Sequence, residues 1–192
     1  MKKLLAALLS TIILTGVCIA EEIELTPKEE VIKQIISDGY EYNEKGFIEA
    51  IKKGNSIYVN KFLMTGMDPN CTYLKVPAIF WAISYKQPKI VEQLIKAGVD
   101  PNLDLGGITP LSHAIKTKHE ETVTTLIRLG ANVNQSVGGK TPLNYALCKK
   151  NYDAANALIY AGAKVDEKSL AKVLKTKNIE TKNLVLTKYK KQ

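Results

Sequence analysis

The side chains best suited to metal binding or nucleophilic chemistry are two histidines and three cysteines. His119 precedes two glutamates, but a metalloprotease helix needs a second histidine four residues later, where this chain has Val123. Gly139-Lys140-Thr141 imitates the end of a phosphate-binding loop, yet Asn134 stands where that loop needs its first glycine. No paired carboxylates, nucleophile–histidine–acid set or Cys-x-x-Cys pair is recognisable. The sequence therefore predicts a protein that is not an enzyme and holds no cofactor or metal.

The elements that would hold such residues recur with a period of thirty-two residues. A small residue recurs at Ala50, Ala82, Ala114 and Ala146. An apolar pair recurs at Phe62-Leu63, Leu94-Ile95, Leu126-Ile127 and Leu158-Ile159. A glycine recurs at Gly66, Gly98, Gly130 and Gly162. Several independent positions that keep one period predict a stack of similar units, none of which can bury its apolar face alone.

The stretch from Gly107 to Asn134 resembles one ankyrin repeat. It opens with Gly-Ile-Thr-Pro-Leu-Ser-His-Ala and closes with Gly-Ala-Asn-Val-Asn, where the family has Gly-x-Thr-Pro-Leu-His-x-Ala and Gly-Ala-Asp-x-Asn. The family's usual period is about one residue longer, and we expect the missing residue in the connecting hairpin. The resemblance implies an all-α ankyrin-repeat solenoid of helix-turn-helix units joined by hairpin loops, with helical N- and C-terminal caps.

The same period sets the expected boundaries. Residues 21–42 form an N-terminal capping helix, and residues 167–192 form a degenerate, basic C-terminal capping repeat. Four repeats fill residues 43–166, at about 43–74, 75–106, 107–138 and 139–166. Thr109 and Thr141 each precede a proline, and Ser56 precedes an apolar run, so these three residues are expected to cap helices.

Some positions depart from the family pattern. Where the family carries a histidine that ties neighbouring repeats, this chain has Phe80, Ser112 and Asn144, which predicts weaker polar ties between repeats. His113 is expected in the core or in an interface between repeats, and His119 in a structural role. Cys71 and Cys148 fall in non-adjacent repeats, so their thiols are predicted to be unpaired.

Residues 1–20 have the anatomy of a bacterial secretory signal peptide. Met1-Lys2-Lys3 precedes an almost wholly apolar run that is too short for a confident membrane span. We expect cleavage after Ala20, release into the periplasm or beyond, and no stable membrane insertion. The alternative is a lipoprotein anchored through Cys18, although Val17 is too bulky for the usual pattern before the cysteine.

The net charge of +8 is unevenly placed along the chain. Residues 21–49 carry nine acids and three lysines, whereas residues 164–192 carry nine lysines and three acids. Basic blocks can bind nucleic acid, but phosphate recognition favours the forked donors of arginine, and Arg128 is the only arginine. We therefore expect no nucleic-acid partner and interpret the terminal lysines as a solvated cap.

Resemblance to ankyrin proteins implies a binding module whose concave surface, made of hairpin tips and first helices, contacts a protein partner. We expect the chain to be a monomer. Leu105 and Val137 could instead pack against the next hairpin. The predicted contact residues are Tyr73, Leu74, Val76, Ser84, Tyr85, Leu105, Ile108, Lys116, Thr117, Val137, Lys140, Cys148 and Lys149.

Two other functions stay open. Some exported bacterial ankyrin proteins resemble accessory or immunity proteins, which serve or guard a particular enzyme of catalase type or a toxic effector. A haem or metal carrier would use His113, His119, Cys148 or a tyrosine, but no ligand pair has a useful spacing.

Overall fold

The computed structural model describes residues 25–190, so the expected signal peptide and the Cys18 lipid anchor lie outside the described residues. Residues 25–190 form eleven helices and one two-stranded sheet. The helices are α1 (Pro27–Ser37), α2 (Glu44–Lys52), α3 (Ser56–Met64), α4 (Ala78–Ser84), α5 (Pro88–Lys96), α6 (Pro110–Thr117), α7 (Glu120–Arg128), α8 (Pro142–Cys148), α9 (Tyr152–Tyr160), α10 (Glu167–Leu174) and α11 (Ile179–Tyr189). The strands β1 (Thr72–Tyr73) and β2 (Val76–Pro77) pair antiparallel between α3 and α4.

The helices stack in two rows, because each helix packs against its counterpart in the next unit. The first helices α2, α4, α6, α8 and α10 form one row, and the second helices α3, α5, α7, α9 and α11 form the other. Helix α1 packs against α3, so it extends the second row at its open end. A terminal element of this kind hides apolar surface that the next repeat would otherwise cover.

Each of the first four second helices ends at a glycine in the same backbone conformation. Gly66, Gly98, Gly130 and Gly162 have φ angles of +92°, +107°, +93° and +92°. At each corner the glycine N–H donates to the carbonyl three residues back, as Gly66 does to Leu63, and the next N–H donates to the carbonyl five residues back. This is the Schellman closure that glycine favours, and it turns the chain toward the hairpin at equivalent places in four units.

The core is continuous through the stack. The recurring alanines at 50, 82, 114 and 146 are fully buried, and so are Phe62, Leu94, Leu126 and Leu158. The alanines bring neighbouring first helices together, while the larger side chains fill the space between the two rows. The all-α stacked architecture implied by the sequence is confirmed.

Side-chain caps start most of the helices. Thr109 and Thr141 accept hydrogen bonds from the backbone N–H three residues on, as predicted. The prediction for α3 was wrong, because Asn55 rather than Ser56 is the N-cap, and its side chain accepts from the Tyr58 N–H. Asn55 occupies the position that Asn151 holds in α9, so the period identifies this cap better than the local Ser pattern does.

The expectation of weak polar ties between repeats was wrong for the last units. Asn144 is buried, and its Nδ2 donates to both carboxylate oxygens of Asp166 at 2.9 and 2.7 Å. Its Oδ1 accepts from Lys172 Nζ at 3.0 Å. Farther along the loops, Asn102 Oδ1 accepts from the Asn132 N–H at 2.7 Å. Asn144, which replaces the family histidine, therefore ties neighbouring units by a different geometry, whereas the hydrogen bonds of Ser112 are to Thr109 in its own unit.

Within residues 25–190, none of the helices combines the length and the apolar character that a bilayer crossing requires.

Candidate protein-binding surface

Three connecting hairpins project from the stack, and their turns fall at the same place in the repeat. The turn residues are Leu74-Lys75, Gly106-Gly107 and Gly138-Gly139, all with positive φ. Outside β1 and β2, the Leu105 N–H donates to the Ile108 carbonyl, and Val137 and Lys140 form a bridge. Paired positive φ angles define the tight hairpin turn that suits twisted strands, and glycine is a favoured residue there. Only the first of these three hairpins makes this turn without glycine.

We call the hairpins together with the adjoining side of the first helices the hairpin surface. Among the predicted contact residues, Tyr73, Val76, Thr117 and Val137 are half-buried. The others are exposed: Leu74, Ser84, Tyr85, Leu105, Ile108, Lys116, Lys140, Cys148 and Lys149. The Thr117 hydroxyl donates to the Ala114 carbonyl, so it is engaged within its own helix.

At one end of the hairpin surface, aromatic rings surround a lysine. The Trp81 ring lies between Tyr73 and Tyr85, with centroid separations of 6.4 and 6.3 Å. Lys52 Nζ lies 4.1 Å from the Trp81 centroid and within 6.0 Å of both tyrosine centroids. The rings thus hold the ammonium by cation–π attraction, and we call these four residues the aromatic cluster.

Toward the other end, a cavity of about 250 Å³ opens between the second and third hairpins and the helices α6 and α8. It brings together four of the predicted residues, Ile108, Lys116, Val137 and Lys140. Its other lining residues are Gly107, Ser112, His113, Gln135, Gly138, Pro142 and Tyr145.

His113 lies where α4 meets α6, which agrees with its expected place at an interface. Its Nε2 is 2.8 Å from Ser84 Oγ, and its ring meets Phe80 edge-on. Burial, and then the positive charge of Lys116, lower the pKa of His113 below its usual 6.5. A neutral imidazole at neutral pH therefore forms part of the cavity wall.

Sequence reasoning missed Lys52, Trp81 and Tyr145 as surface residues. The signal was available, because Trp81, His113 and Tyr145 are spaced by thirty-two residues and each immediately precedes a recurring alanine. At all three places the side chain is half-buried beside the buried alanine, and these side chains form an inner row of the hairpin surface. Lys52 could not be identified in this way, since its importance comes from rings in the next unit.

Residues 79–169 match the family model described as ankyrin repeats, in three copies. The fold is an ankyrin-repeat solenoid. The match includes α5 to α9 whole and parts of α4 and α10. No curated protein matches the chain significantly.

Ankyrin repeats imply a protein–protein interaction module, and ankyrin repeat domains are generally non-catalytic. They suggest that the partner of this chain is a protein. The matched residues include the cavity and most of the hairpin surface, whereas Tyr73, Leu74 and Val76 precede the match.

His119 and Cys148, two of the residues considered for metal or haem binding, and the remaining described cysteine, Cys71, have different surroundings in the ankyrin solenoid. His119 Nδ1 lies 2.7 Å from Thr122 Oγ1, and Cys71 is buried. Burial, aided by Asp68 and Glu44, raises the pKa of Cys71 to about 11. Cys148 is exposed on the hairpin surface. Residues 25–190 contain no group of three or more His, Cys, Asp or Glu side chains arranged to hold a metal ion.

Proposed function

We propose that this chain is a non-catalytic module that binds a protein partner on its hairpin surface. The observation that carries the proposal is the first hairpin turn. Leu74 and Lys75 hold φ angles of +53° and +63°, in the left-handed region where a side chain is strained by about 1–2 kcal/mol per residue. Leu74 is nevertheless 71% exposed, so its side chain gains little burial within the chain in return.

A strained, exposed leucine is informative because the same turn is made without strain in the next two hairpins. Glycine pairs stand there at the equivalent positions. Backbone strain at a residue whose side chain does not pack within its own chain is typical of residues that contact a ligand or a partner. We infer that Leu74 contacts the partner.

The composition of the neighbouring surface supports the same conclusion. Tyr73, Trp81 and Tyr85 form a group of large rings beside Leu74, and tyrosine and tryptophan dominate the energetically important centres of protein interfaces. The indole N–H of Trp81 is buried without an acceptor among the described residues. The aromatic cluster therefore has both the apolar area and the fixed geometry of an anchor site.

The decisive experiment is site-specific crosslinking with a matched control. A photoreactive phenylalanine analogue replaces Tyr85 on the hairpin surface in one variant and Tyr160 in another. Tyr160 is a suitable control because it is 75% exposed and lies on α9 in the second row. We expect a specific adduct from position 85 that is lost when Tyr73 and Lys149 are changed to alanine.

Adducts of equal yield from positions 85 and 160 would count against the hairpin surface as the contact site. If the adduct from position 85 still forms after Tyr73 and Lys149 are changed to alanine, those two residues do not contribute to the contact.

We further propose that the protein is a bacterial export product, on the basis of the n-region and apolar run in residues 1–20. Intact mass measurement of protein purified from its native source tests this directly. A chain that starts at Glu21 supports cleavage by signal peptidase, whereas a lipid-modified chain that starts at Cys18 supports the lipoprotein alternative. A chain that retains residues 1–20 would contradict both.

A further inference from the structure

We propose that the partner presents an acidic segment to the hairpin surface, with one carboxylate side chain entering the cavity beside Lys116 and Lys140. This inference rests on the proposed function, because it assigns a chemistry to the partner of the same surface.

The first argument is that, among the helices of the central units, acidic side chains lie only in the second row. The central first helices α4, α6 and α8 contain no aspartate or glutamate in their sequences, whereas their second helices carry Glu92, Glu120, Glu121 and Asp153. The acids of the central hairpins are engaged locally: Asp100 accepts from the Asn102 N–H and Asp104 from the Gly107 N–H. Both aspartates keep their negative charge, but Lys75, Lys116, Lys140 and Lys149 are exposed on the same surface, so the hairpin surface is basic on balance.

The second argument is that the cavity lysines lack internal partners. Within residues 25–190, Lys116 and Lys140 form no ion pair within 4.0 Å, and no lining residue of the cavity carries a carboxylate. Ion pairs do form elsewhere, as between Glu92 and Arg128 at 2.7 Å on the second row. Two unpaired ammonium groups around one cavity attract an anion from outside, and such complementarity favours correct partners.

The third argument concerns the type of anion. Ile108, Val137, Pro142 and the Tyr145 ring supply apolar walls, so the cavity suits a side chain with methylene groups that ends in a charge. The structure places the only arginine, Arg128, in an ion pair on the second row, so no guanidinium fork is available on the cavity side for phosphate. A glutamate side chain matches the apolar walls and the two lysine ammonium groups of the cavity better than a nucleotide does.

The aromatic cluster offers a second anchor for the same segment. Lys52 is held over the Trp81 ring and has no ion pair in the described chain, so its ammonium can form an ion pair with a second carboxylate of the partner. Stacked helices lie about 8–10 Å apart, so about 20–30 Å separates Lys52 from the cavity. An extended chain advances about 3.3 Å per residue, so a segment of about eight residues can reach both anchors.

The test measures binding of short fluorescent peptides to the full chain by anisotropy, at about 150 mM salt to limit non-specific attraction. The probes are a peptide of alternating glutamate and leucine, its glutamine counterpart, and a single-stranded oligothymidylate. We expect the glutamate peptide to bind about tenfold or more tightly than the glutamine peptide, since charge complementarity is the proposed source of affinity.

The variant that tests the cavity is Lys116→Gln with Lys140→Gln. Its matched control is Lys33→Gln with Lys89→Gln, which removes the same charge from exposed positions on α1 and α5 in the second row. We expect the cavity variant to lose about tenfold in affinity for the glutamate peptide and the control to lose less than about twofold. All four lysines are exposed, and thermal melts would verify that both variants remain folded.

Equal affinity for the glutamate and glutamine peptides, or no binding of either, would overturn the inference. So would equal losses in the two lysine variants, because non-specific charge would then explain binding. Tighter binding of the oligothymidylate would assign the surface to nucleic acid instead. If any of these results occurs while position 85 still gives its crosslink, the acidic chemistry is wrong and the proposed function stands.

Discussion

At the residue scale, five described residues other than glycine adopt the left-handed backbone conformation, in which a side chain is strained. Besides Leu74 and Lys75, the lysines at 86, 118 and 150 have φ angles of +55°, +53° and +53°, whereas Gly54 stands at the equivalent place in the first unit. Left-handed lysine is strained relative to glycine. The solenoid therefore retains side chains at five described positions where glycine would relieve strain, all of them exposed.

We expect the double change Leu74→Gly and Lys75→Gly to raise the free energy of unfolding by about 1 kcal/mol. Relief of left-handed strain exceeds the chain entropy that two glycines add to the unfolded state. Urea denaturation measures this change, and the position 85 crosslink assay should show weaker capture of the partner by the same variant. A less stable variant, or a more stable one with unchanged capture, would contradict the role assigned to this turn.

His113 should make stability depend on pH. Its pKa is lowered in the folded protein, first by burial and then by Lys116, so the unfolded chain binds the proton more readily. Stability is therefore fully present above the unfolded pKa of 6.5 and falls as the pH drops through the folded value. We expect a lower free energy of unfolding at about pH 5.5 than at about pH 7.5, and a smaller difference in His113→Gln. An equal difference in the two proteins would show that other groups cause it.

At the element scale, the units are joined by polar contacts that differ from place to place. Asn144 joins α8 to the start of α10 through Asp166, whose side chain also caps α10 by accepting from the Ser169 N–H. Burial opposes ionisation of Asp166, but hydrogen bonds from Ser169 and Asn144 outweigh it and leave the pKa of the carboxyl lowered. The Asp166 side chain thus stabilises both the contact with α8 and the start of α10.

We expect Asn144→Ala to reduce the free energy of unfolding by about 1–3 kcal/mol, because it removes a buried side chain and its hydrogen bonds to the half-buried Asp166 and Lys172. Asn60→Ala is the control, since Asn60 is exposed and its Nδ2 donates to Met64 Sδ, four residues along the same helix, at 3.3 Å. The control should change stability by less than about 0.5 kcal/mol. Similar losses in the two variants, measured by urea denaturation, would show that the junction adds nothing specific.

At the scale of the whole molecule, stability comes from contacts between neighbouring units. Helices α10 and α11 contact α8 and α9 and each other, and they bury Val173 and Val185 completely. In such a stack, the end units shield the apolar faces of those next to them. The last helix pair therefore affects stability beyond its own residues.

We expect removal of residues 167–192 to lower the midpoint of thermal unfolding and the urea m-value. The m-value follows the surface exposed on unfolding, and the shortened chain buries less surface. A full-length chain with Leu174→Ser is the control, because Leu174 is 51% exposed. A truncated chain as stable as the full-length one would show that α10 and α11 do not function as a cap.

The sequence by itself determined the repeating unit. The period located the buried alanines and the four glycine corners, and Thr-Pro pairs located two helix starts, because these features depend on local backbone geometry and local burial. Tertiary structure alone decided which side chains meet across units. Lys52 with the rings of the aromatic cluster, Asn144 with Asp166, and the lysines around one cavity are contacts between residues distant in sequence. Their geometry depends on the rotation and spacing of successive units, which are set by packing over the whole stack rather than by any local pattern.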